Sequence, residues 1–243
     1  MSGEIILQAR GLGISFGGVD AVKAVDFELR QGELRCLIGP NGAGKTTFFR
    51  LLSGQYTPTR GAVTFRGKPL AGLKPWQIAR LGIGIKTQVP SLFEGLSVQE
   101  NIDMAARRRL RGKAVAAVVA DVLDHIGLGD LRHRPCGELA HGQRQWVELG
   151  QMLAMKPAVA LLDEPAAGMT HQESLRTVQI IRDITQHSAV IVVEHDMDFI
   201  RLIGDRVTVF ERGAVIAEGS FTEISKDPQV RAAYLGRKEN ADA

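Results

Sequence analysis

The sequence predicts an α/β fold built on a parallel β-sheet, and three features indicate this. Residues 158–162 and 189–193 are short and almost entirely apolar, which is typical of strands that are buried on both faces. A helical pattern over residues 171–187 separates them, as a crossover between parallel strands requires. A third apolar segment, residues 34–38, precedes a glycine-rich loop and a helical pattern. We expect residues 1–243 to form a single domain.

The composition bounds the class of protein. The chain has 243 residues, 44% of them hydrophobic, so it can bury a substantial core. Thirty basic and 27 acidic residues are mixed along it, and this small imbalance does not indicate a nucleic-acid partner. Cys36 and Cys136 are too far apart to suggest a disulfide framework, so a reducing compartment is expected. No apolar run approaches the ~20 residues of a spanning helix, so we expect a soluble chain that can attach to a membrane complex.

The remaining elements follow from local patterns. Alternating residues around Gly17 and Gly18 predict two antiparallel strands at the start, and helical spacing predicts a helical insert in the middle. In chain order we expect strands at 5–16 and 22–30, a hairpin at 63–70, helices at 100–110 and 113–126, a helix at 147–155, a closing hairpin at 206–218 and a polar C-terminal helix with a ragged tail.

The loop after the third apolar segment is the most informative motif. Residues 39–46 read Gly-Pro-Asn-Gly-Ala-Gly-Lys-Thr and fit the spacing G-x-x-x-x-G-K-[ST] between a strand and a helix. Such a loop points backbone N–H groups at a phosphate chain, while Lys45 reaches the terminal phosphates and Thr46 can bind Mg²⁺. The predicted ligand is a nucleoside triphosphate with magnesium. Expected contacts are Gly39, Pro40, Asn41, Gly42, Ala43, Gly44, Lys45, Thr46 and Thr47.

Two adjacent carboxylates, Asp163 and Glu164, end the strand at 158–162. Beside a phosphate loop, Asp163 is expected to hold Mg²⁺ and Glu164 to polarise the attacking water. Side chains alternate along an extended chain, so the two can have different roles. Without the loop, a solvated strand end would be the preferred interpretation.

His195 follows Glu194 just beyond the strand at 189–193, at the sheet edge where ligands of open α/β folds collect. It is placed to sense a γ-phosphate, although a packed structural histidine is the alternative. Residues 139–146 precede a helical run, so their amides can receive an anion or simply form a capping turn. The other histidines show no metal-ligand spacing and are expected at the surface: His125, His133, His171 and His187.

Taken together, these motifs resemble those of ATP-binding cassette (ABC) ATPases over nearly the whole chain. Residues 39–46 are similar to the Walker A motif, 139–143 to the signature motif and 158–164 to Walker B with its catalytic glutamate. Gln88 matches the Q-loop glutamine, and His195 the switch histidine. The resemblance implies a P-loop NTPase (RecA-like) parallel-sheet core with an N-terminal antiparallel β subdomain. It also implies a helical insert, about residues 90–156, which carries the signature motif.

The resemblance also implies residue roles. Glu164, His195 and Lys45 match catalytic positions of the family. Phe16 stands where the family places an aromatic ring that stacks on adenine, with packing between strands as the alternative. Further nucleotide contacts are implied for Gln88, Ala140, His141, Gly142 and Gln143, and magnesium ligands for Thr46, Gln88 and Asp163.

Three short sequence segments resemble one particular group within this family. Residues 33–42, 141–146 and 164–170 resemble ATPase subunits of the hydrophobic amino-acid uptake (branched-chain amino acid/urea) group, and most closely its urea-importer branch. Two positions depart from the pattern: Ala140 and His141 replace the usual Ser-Gly of the signature, and Thr170 replaces the D-loop aspartate. The lost hydroxyl predicts slower hydrolysis, while the Gly142 amide and the helix N-terminus remain for the phosphate.

The family resemblance implies partners. In this family the signature of one subunit closes over the phosphate loop of another, so we expect a head-to-tail dimer with an identical copy or a paralogue. Membrane permease subunits and an extracytoplasmic solute-binding protein would complete a bacterial importer, placing the chain at the cytoplasmic face of the plasma (inner) membrane. Residues 88–93 are the candidate docking groove for a permease helix, with a buried hinge as the alternative.

Other functions stay open at this stage. They are an importer ATPase for branched-chain amino acids or short-chain amides, an exporter ATPase, a soluble cassette ATPase acting on DNA or ribosomes, and a small-molecule P-loop kinase. A kinase would leave His195 and the signature unexplained. Arg107, Arg108, Arg109 and Arg111 form a basic cluster, for which a solvated helix face is preferred over binding of lipid headgroups or nucleic acid.

Overall fold

The computed structural model describes residues 3–235, which form two β-sheets and nine α-helices. The strands are β1 (Ile5–Phe16), β2 (Val19–Arg30), β3 (Leu34–Ile38), β4 (Arg60–Phe65), β5 (Lys68–Pro69), β6 (Ile83–Lys86), β7 (Val159–Asp163), β8 (Ala189–Val193), β9 (Arg206–Glu211) and β10 (Ala214–Gly219). The helices are α1 (Lys45–Leu52), α2 (Pro75–Leu81), α3 (Val98–Ala106), α4 (Lys113–Ile126), α5 (His141–Met155), α6 (His171–Thr185), α7 (Met197–Ile203), α8 (Phe221–Ile224) and α9 (Pro228–Leu235).

The central sheet has six strands in the order β10-β9-β3-β8-β7-β6. β3 pairs in parallel with β8 and β9, and β7 pairs in parallel with β6 and β8, so the predicted parallel core is confirmed. Every residue of β3, β7 and β8 is buried, including Arg35 in β3 and Asp163 at the end of β7, and the other residues of these strands are apolar. Because these strands are parallel, their carboxyl ends lie at one edge, where the sequence places the phosphate loop, Glu164 and His195.

The second sheet is antiparallel, with the order β2-β1-β4-β5. Strands β1 and β2 confirm the two predicted N-terminal strands. The short hairpin of β4 and β5 joins the same sheet, because β4 pairs with β1. Helix α1 packs between the two sheets: the ring centroid of Phe48 lies 5.4 Å from that of Phe27 on β2 and 5.1 Å from that of Phe210 on β9. The helix that follows the phosphate loop is therefore fixed by both sheets.

Three helices, α3, α4 and α5, pack on one another in the middle of the chain and share one hydrophobic core with the parallel sheet. A capping box begins α3, in which the backbone N–H of Ser97 donates to the Glu100 carboxylate at 2.8 Å. The predicted bounds differ most from the structure at two helix ends. Helix α3 ends at Ala106 instead of residue 110, and α5 begins at His141 instead of residue 147. At the start of α5 the Gln143 side-chain oxygen accepts the Ala140 N–H at 3.1 Å.

The arginine cluster follows α3 and lies at the surface. Its side chains bind backbone carbonyls: Arg108 donates to Ala79 at 3.2 Å and Arg109 to Ala154 at 3.2 Å, near the ends of α2 and α5. Cations at helix C-termini interact favourably with the helix dipole, which accounts for these two contacts. Within residues 3–235, no helix combines the length and apolar content needed to cross a membrane. The predicted polar tail after Leu235 lies outside the described residues.

Candidate active site

The glycine-rich loop joins β3 to α1 and is pressed against neighbouring backbone. At Gly39 φ is 150°, and a Cβ added there would lie 2.2 Å from the Phe210 carbonyl oxygen on β9. At Gly44 φ is 102°, and a Cβ would lie 2.5 Å from the Ala21 carbonyl oxygen. Neither position accepts a side chain, because backbone atoms occupy the space. The loop therefore follows a path that only glycine permits at these two positions.

Lys45 begins α1 and is buried. Its Nζ donates to the Gly39 carbonyl at 2.6 Å and to the Pro40 carbonyl at 3.1 Å, so the ammonium lies over the loop. The loop and Glu164 line a cavity of about 190 Å³. Its lining residues are Ala21, Asn41, Gly42, Ala43, Gly44, Lys45, Thr46, Thr47 and Glu164. A helix N-terminus, a buried ammonium and a hydroxyl facing one cavity fit the phosphates of a nucleotide.

Three predicted site residues meet at Glu164, which lines this cavity. The Gln88 amide Nε2 donates to Glu164 Oε2 at 2.7 Å, and His195 Nδ1 lies 3.4 Å from Glu164 Oε1. Gln88 follows β6, Glu164 follows β7 and His195 follows β8, so the parallel sheet brings them together. Glu164 thus has a partner on each carboxylate oxygen.

The two adjacent carboxylates differ, but the alternation of side chains in an extended chain was the wrong explanation. Asp163 is the last residue of β7 and is buried, whereas Glu164 has φ 45°, in the left-handed region. The chain therefore turns at Glu164, which directs this carboxylate to the cavity. Such a conformation is uncommon for a residue other than glycine and clusters at functional sites.

Burial raises the pKa of the Asp163 carboxyl, and the negative charge of Glu164 raises it further. The positive charges of Lys86, Arg50 and Lys45 act in the opposite direction. Asp163 is therefore a buried carboxyl group whose negative charge is partly offset by neighbouring basic side chains.

Glu194 is a site residue that the sequence interpretation left without a role. It is 2% exposed, and its carboxylate accepts the backbone N–H of Ala166 at 3.2 Å and that of His195 at 3.1 Å. Burial raises the pKa of this carboxyl, and the two amide donors lower it. Glu194 links the segment after Glu164 to the segment that carries His195. The sequence feature that could have identified Glu194 is its position directly before His195 and directly after a fully apolar strand.

Phe16 ends β1 with 47% of its surface exposed. Its ring packs edge-on against Tyr56 with a centroid distance of 5.4 Å. The half-exposed ring can stack on a base, and packing against Tyr56 accounts for the buried part. Tyr56 was not singled out from the sequence.

The signature-like residues lie apart from the cavity: of the residues that line it within the described chain, none belongs to 139–143. The ring Nε2 of His141 donates to the Ala167 carbonyl at 3.1 Å. Thr170 caps α6, because the Glu173 N–H donates to its hydroxyl at 3.3 Å. Thr170 therefore acts as the N-cap of α6.

Comparisons with known proteins agree with this geometry. Residues 22–167 match the family model described as ABC transporter, and residues 214–240 match the model described as branched-chain amino acid ATP-binding cassette transporter. The chain is 36% identical to the high-affinity branched-chain amino acid transport ATP-binding protein LivG of Salmonella typhimurium, over 95% of this chain and 98% of the relative. It is 33% identical to BraF of Pseudomonas aeruginosa, which has the same description, over the same shares of both chains.

A solved structure shows the same fold. MJ1267, an ATP-binding cassette of an ABC transporter, superposes with a TM-score of 0.85 at 24% identity, covering 95% of this chain and 99% of that chain. The fold is therefore the ABC ATPase cassette, a P-loop NTPase with a parallel-sheet core and an antiparallel β subdomain. On the family match and the relatives' identity, the chain belongs to the ATP-binding subunits of ABC transporters, which are ATPases.

Proposed function

We propose that this chain is the ATP-hydrolysing subunit of an importer. One observation carries the catalytic part: Gln88 and His195 hold the two oxygens of Glu164 at the cavity beside the phosphate loop. A carboxylate with fixed orientation, next to a site for the terminal phosphate, can orient and polarise an attacking water. In this proposal Glu164 is the base, His195 contacts the γ-phosphate and Lys45 neutralises the β- and γ-phosphates.

The remaining nucleotide contacts are proposed on the same grounds. The backbone N–H groups of the loop would bind the phosphates, and Phe16 would stack on the adenine. Magnesium would bind the Thr46 hydroxyl and the oxygens of Gln88 and Asp163, together with phosphate oxygens. Within residues 3–235, no cluster of three or more His, Cys, Asp or Glu side chains could hold a metal alone. The magnesium proposed here therefore depends on the nucleotide.

We further propose a head-to-tail dimer, with a second copy or a paralogue. Residues 139–143 lie outside the cavity of their own chain, which is consistent with a role at the partner's nucleotide. The backbone N–H groups at the start of α5 would then face the partner's γ-phosphate. Ala140 offers no hydroxyl there, and His141 is engaged with Ala167, which supports the expectation of slow hydrolysis.

The proposed membrane contact is the segment 88–93. Val89 is 76% exposed and Phe93 57% exposed, whereas Leu92 packs on the core. Exposed apolar side chains beside Gln88 favour a docking site for a permease helix over a buried hinge. The complex would lie at the cytoplasmic face of the bacterial plasma membrane and would include permease subunits and an extracytoplasmic solute-binding protein.

The proposed solute is a branched-chain amino acid, because LivG and BraF are described as branched-chain amino acid transport proteins and match nearly full length. Urea is the second candidate, favoured by the resemblance of residues 33–42, 141–146 and 164–170 to urea-importer ATPases.

A transport assay tests the choice of solute. The complex that copurifies with this chain is reconstituted into proteoliposomes with its binding protein and with Mg-ATP inside the vesicles. Uptake of labelled leucine, and none with Lys45→Ala, is expected. Uptake of urea but not of leucine would make urea the transported solute. Uptake of both solutes without ATP would contradict the proposal.

A further inference from the structure

A buried carboxylate outside the cavity contacts both ends of the segment that carries Gln88. Glu148 lies on α5 with its side chain 5% exposed. Its Oε1 accepts the backbone N–H of Ser91 at 2.6 Å, and its Oε2 lies 3.8 Å from the Nζ of Lys86. Lys86 is fully buried at the end of β6. The segment 87–90 therefore begins and ends at contacts with one side chain.

Glu148 lies in the buried middle of α5. Residues 145–150 are all buried, so this stretch of the helix is enclosed on every side and a polar side chain there needs a partner. Isolated buried charges are costly, so an acid and a base that are buried together indicate a defined role for the pair. Glu148 Oε2 has no hydrogen-bond donor within the described residues, so Ser91 provides the principal anchor.

The contacts lead from α5 to the catalytic carboxylate. Helix α5 carries the signature at its N-terminus, Glu148 holds Ser91 and Lys86, and Gln88 between them donates to Glu164 at 2.7 Å. Gln88 is exposed and its segment has no helix or strand to fix it. A tether at each end is therefore what limits where its amide can lie.

We propose that Glu148 is a positioning residue for hydrolysis: through Ser91 and Lys86 it holds the Gln88 segment so that the amide meets Glu164. This inference rests on the proposed catalytic role of Glu164. It adds a route by which movement of the signature helix changes the geometry at that carboxylate, because Glu148 and the signature belong to the same helix.

The first test is hydrogen exchange of the Ser91 amide in the full chain. In Glu148→Ala the amide loses its acceptor, and exchange should be faster by about 10-fold or more, the equivalent of one lost buried hydrogen bond. Glu148→Gln keeps an acceptor oxygen and should restore protection to within about threefold. The control is Glu218→Ala, which removes the acceptor for Arg35 at 2.8 Å at the opposite edge of the sheet. Unchanged exchange in Glu148→Ala, or an equal change in the control, would overturn the inference, whether or not the chain hydrolyses ATP.

The second test is steady-state ATP hydrolysis in the assembled complex. Glu148→Ala should lower kcat by about 10-fold, with a smaller change in KM for ATP, because the contacts of the phosphate loop are untouched. In a Gln88→Ala background, the same change should have no further effect on kcat. An equal loss in both backgrounds would show that Glu148 does not act through Gln88 and would overturn the inference. If Glu148→Ala does not fold, Glu148→Met, of similar length without the carboxylate, carries the same expectations. An inactive parent complex would instead count against the proposed function.

Discussion

The close approach of Gly39 to β9 predicts that Gly39→Ala destabilises the protein and removes the nucleotide site together. A Cβ at this position would lie 2.2 Å from the Phe210 carbonyl oxygen and 3.2 Å from the Ala43 Cβ. Backbone atoms cannot rotate away as a flexible side chain can, so either the loop or β9 must move. The backbone angle, φ 150°, is also one that alanine rarely adopts.

The loss of stability in Gly39→Ala has two parts, the strained backbone and the steric clash. An unfavourable backbone conformation costs about 1–3 kcal/mol, and overpacking costs about 1–3 kcal/mol. The free energy of unfolding should therefore fall by about 2–6 kcal/mol, measured by urea denaturation. The matched control is Gly32→Ala, which has φ 72° but no atom within 4 Å of the added Cβ. This control has the unfavourable backbone conformation without the clash, and its free energy of unfolding should fall by about 1–2 kcal/mol.

Nucleotide binding separates the two variants further. Gly39→Ala displaces the loop that Lys45 covers, so a titration with Mg-ATP should show affinity lowered by about 100-fold or more, the effect of losing a few kcal/mol of phosphate contacts. Gly32→Ala lies in the turn before β3 and should bind like the parent. Equal stability and equal affinity in the two variants would refute the argument that β9 fixes the path of the loop.

Three further predictions follow from other contacts. Phe16→Ala should weaken ATP binding by about 1 kcal/mol through lost stacking, with turnover restored at saturating ATP; failure of that restoration in a kinetic titration would make Phe16 structural. Asp163→Asn should reduce magnesium-dependent nucleotide binding while magnesium-free binding changes little, and equal effects with and without the ion would count against the proposed ligand. Burial raises the pKa of the Cys136 thiol to about 11; because very little of a buried thiol with this pKa is ionised at pH 7.5, alkylation followed by mass spectrometry should leave Cys136 unmodified in the native state and modified in urea.

Local patterns predicted much of this fold. The strand, loop and helix at residues 34–52 and the apolar strands β7 and β8 were predicted because burial on both faces leaves a continuous apolar sequence. The position of Glu164 and His195 at one edge followed from the predicted parallel strands, whereas Gln88 was identified only by the family resemblance and the strand before it, β6, was not predicted. The order of the strands in each sheet was not predicted, because pairing between distant segments has no local signal.

Other features depended on distant partners. A glutamate inside a helix, such as Glu148, usually lies at the surface, and its burial here results from the packing of other elements around α5. Its partner Lys86 comes from a different part of the chain. Likewise, the chain turns at Glu164 in a left-handed conformation, which the pattern of an extended strand end does not predict, so the different roles of Asp163 and Glu164 were predicted for the wrong geometric reason.

The central claim is that Glu164 activates water for ATP hydrolysis in a composite site. The most direct measurement is ATP turnover and oligomeric state of Glu164→Gln, with ATP and the second subunit. The amide keeps the shape but loses the basic carboxylate, so hydrolysis should fall by about 10²–10⁴-fold. ATP affinity should be retained, and a stable dimer should accumulate in size-exclusion chromatography. Turnover at the parent rate in the assembled transporter would contradict the base role of Glu164 and the mechanism that depends on it.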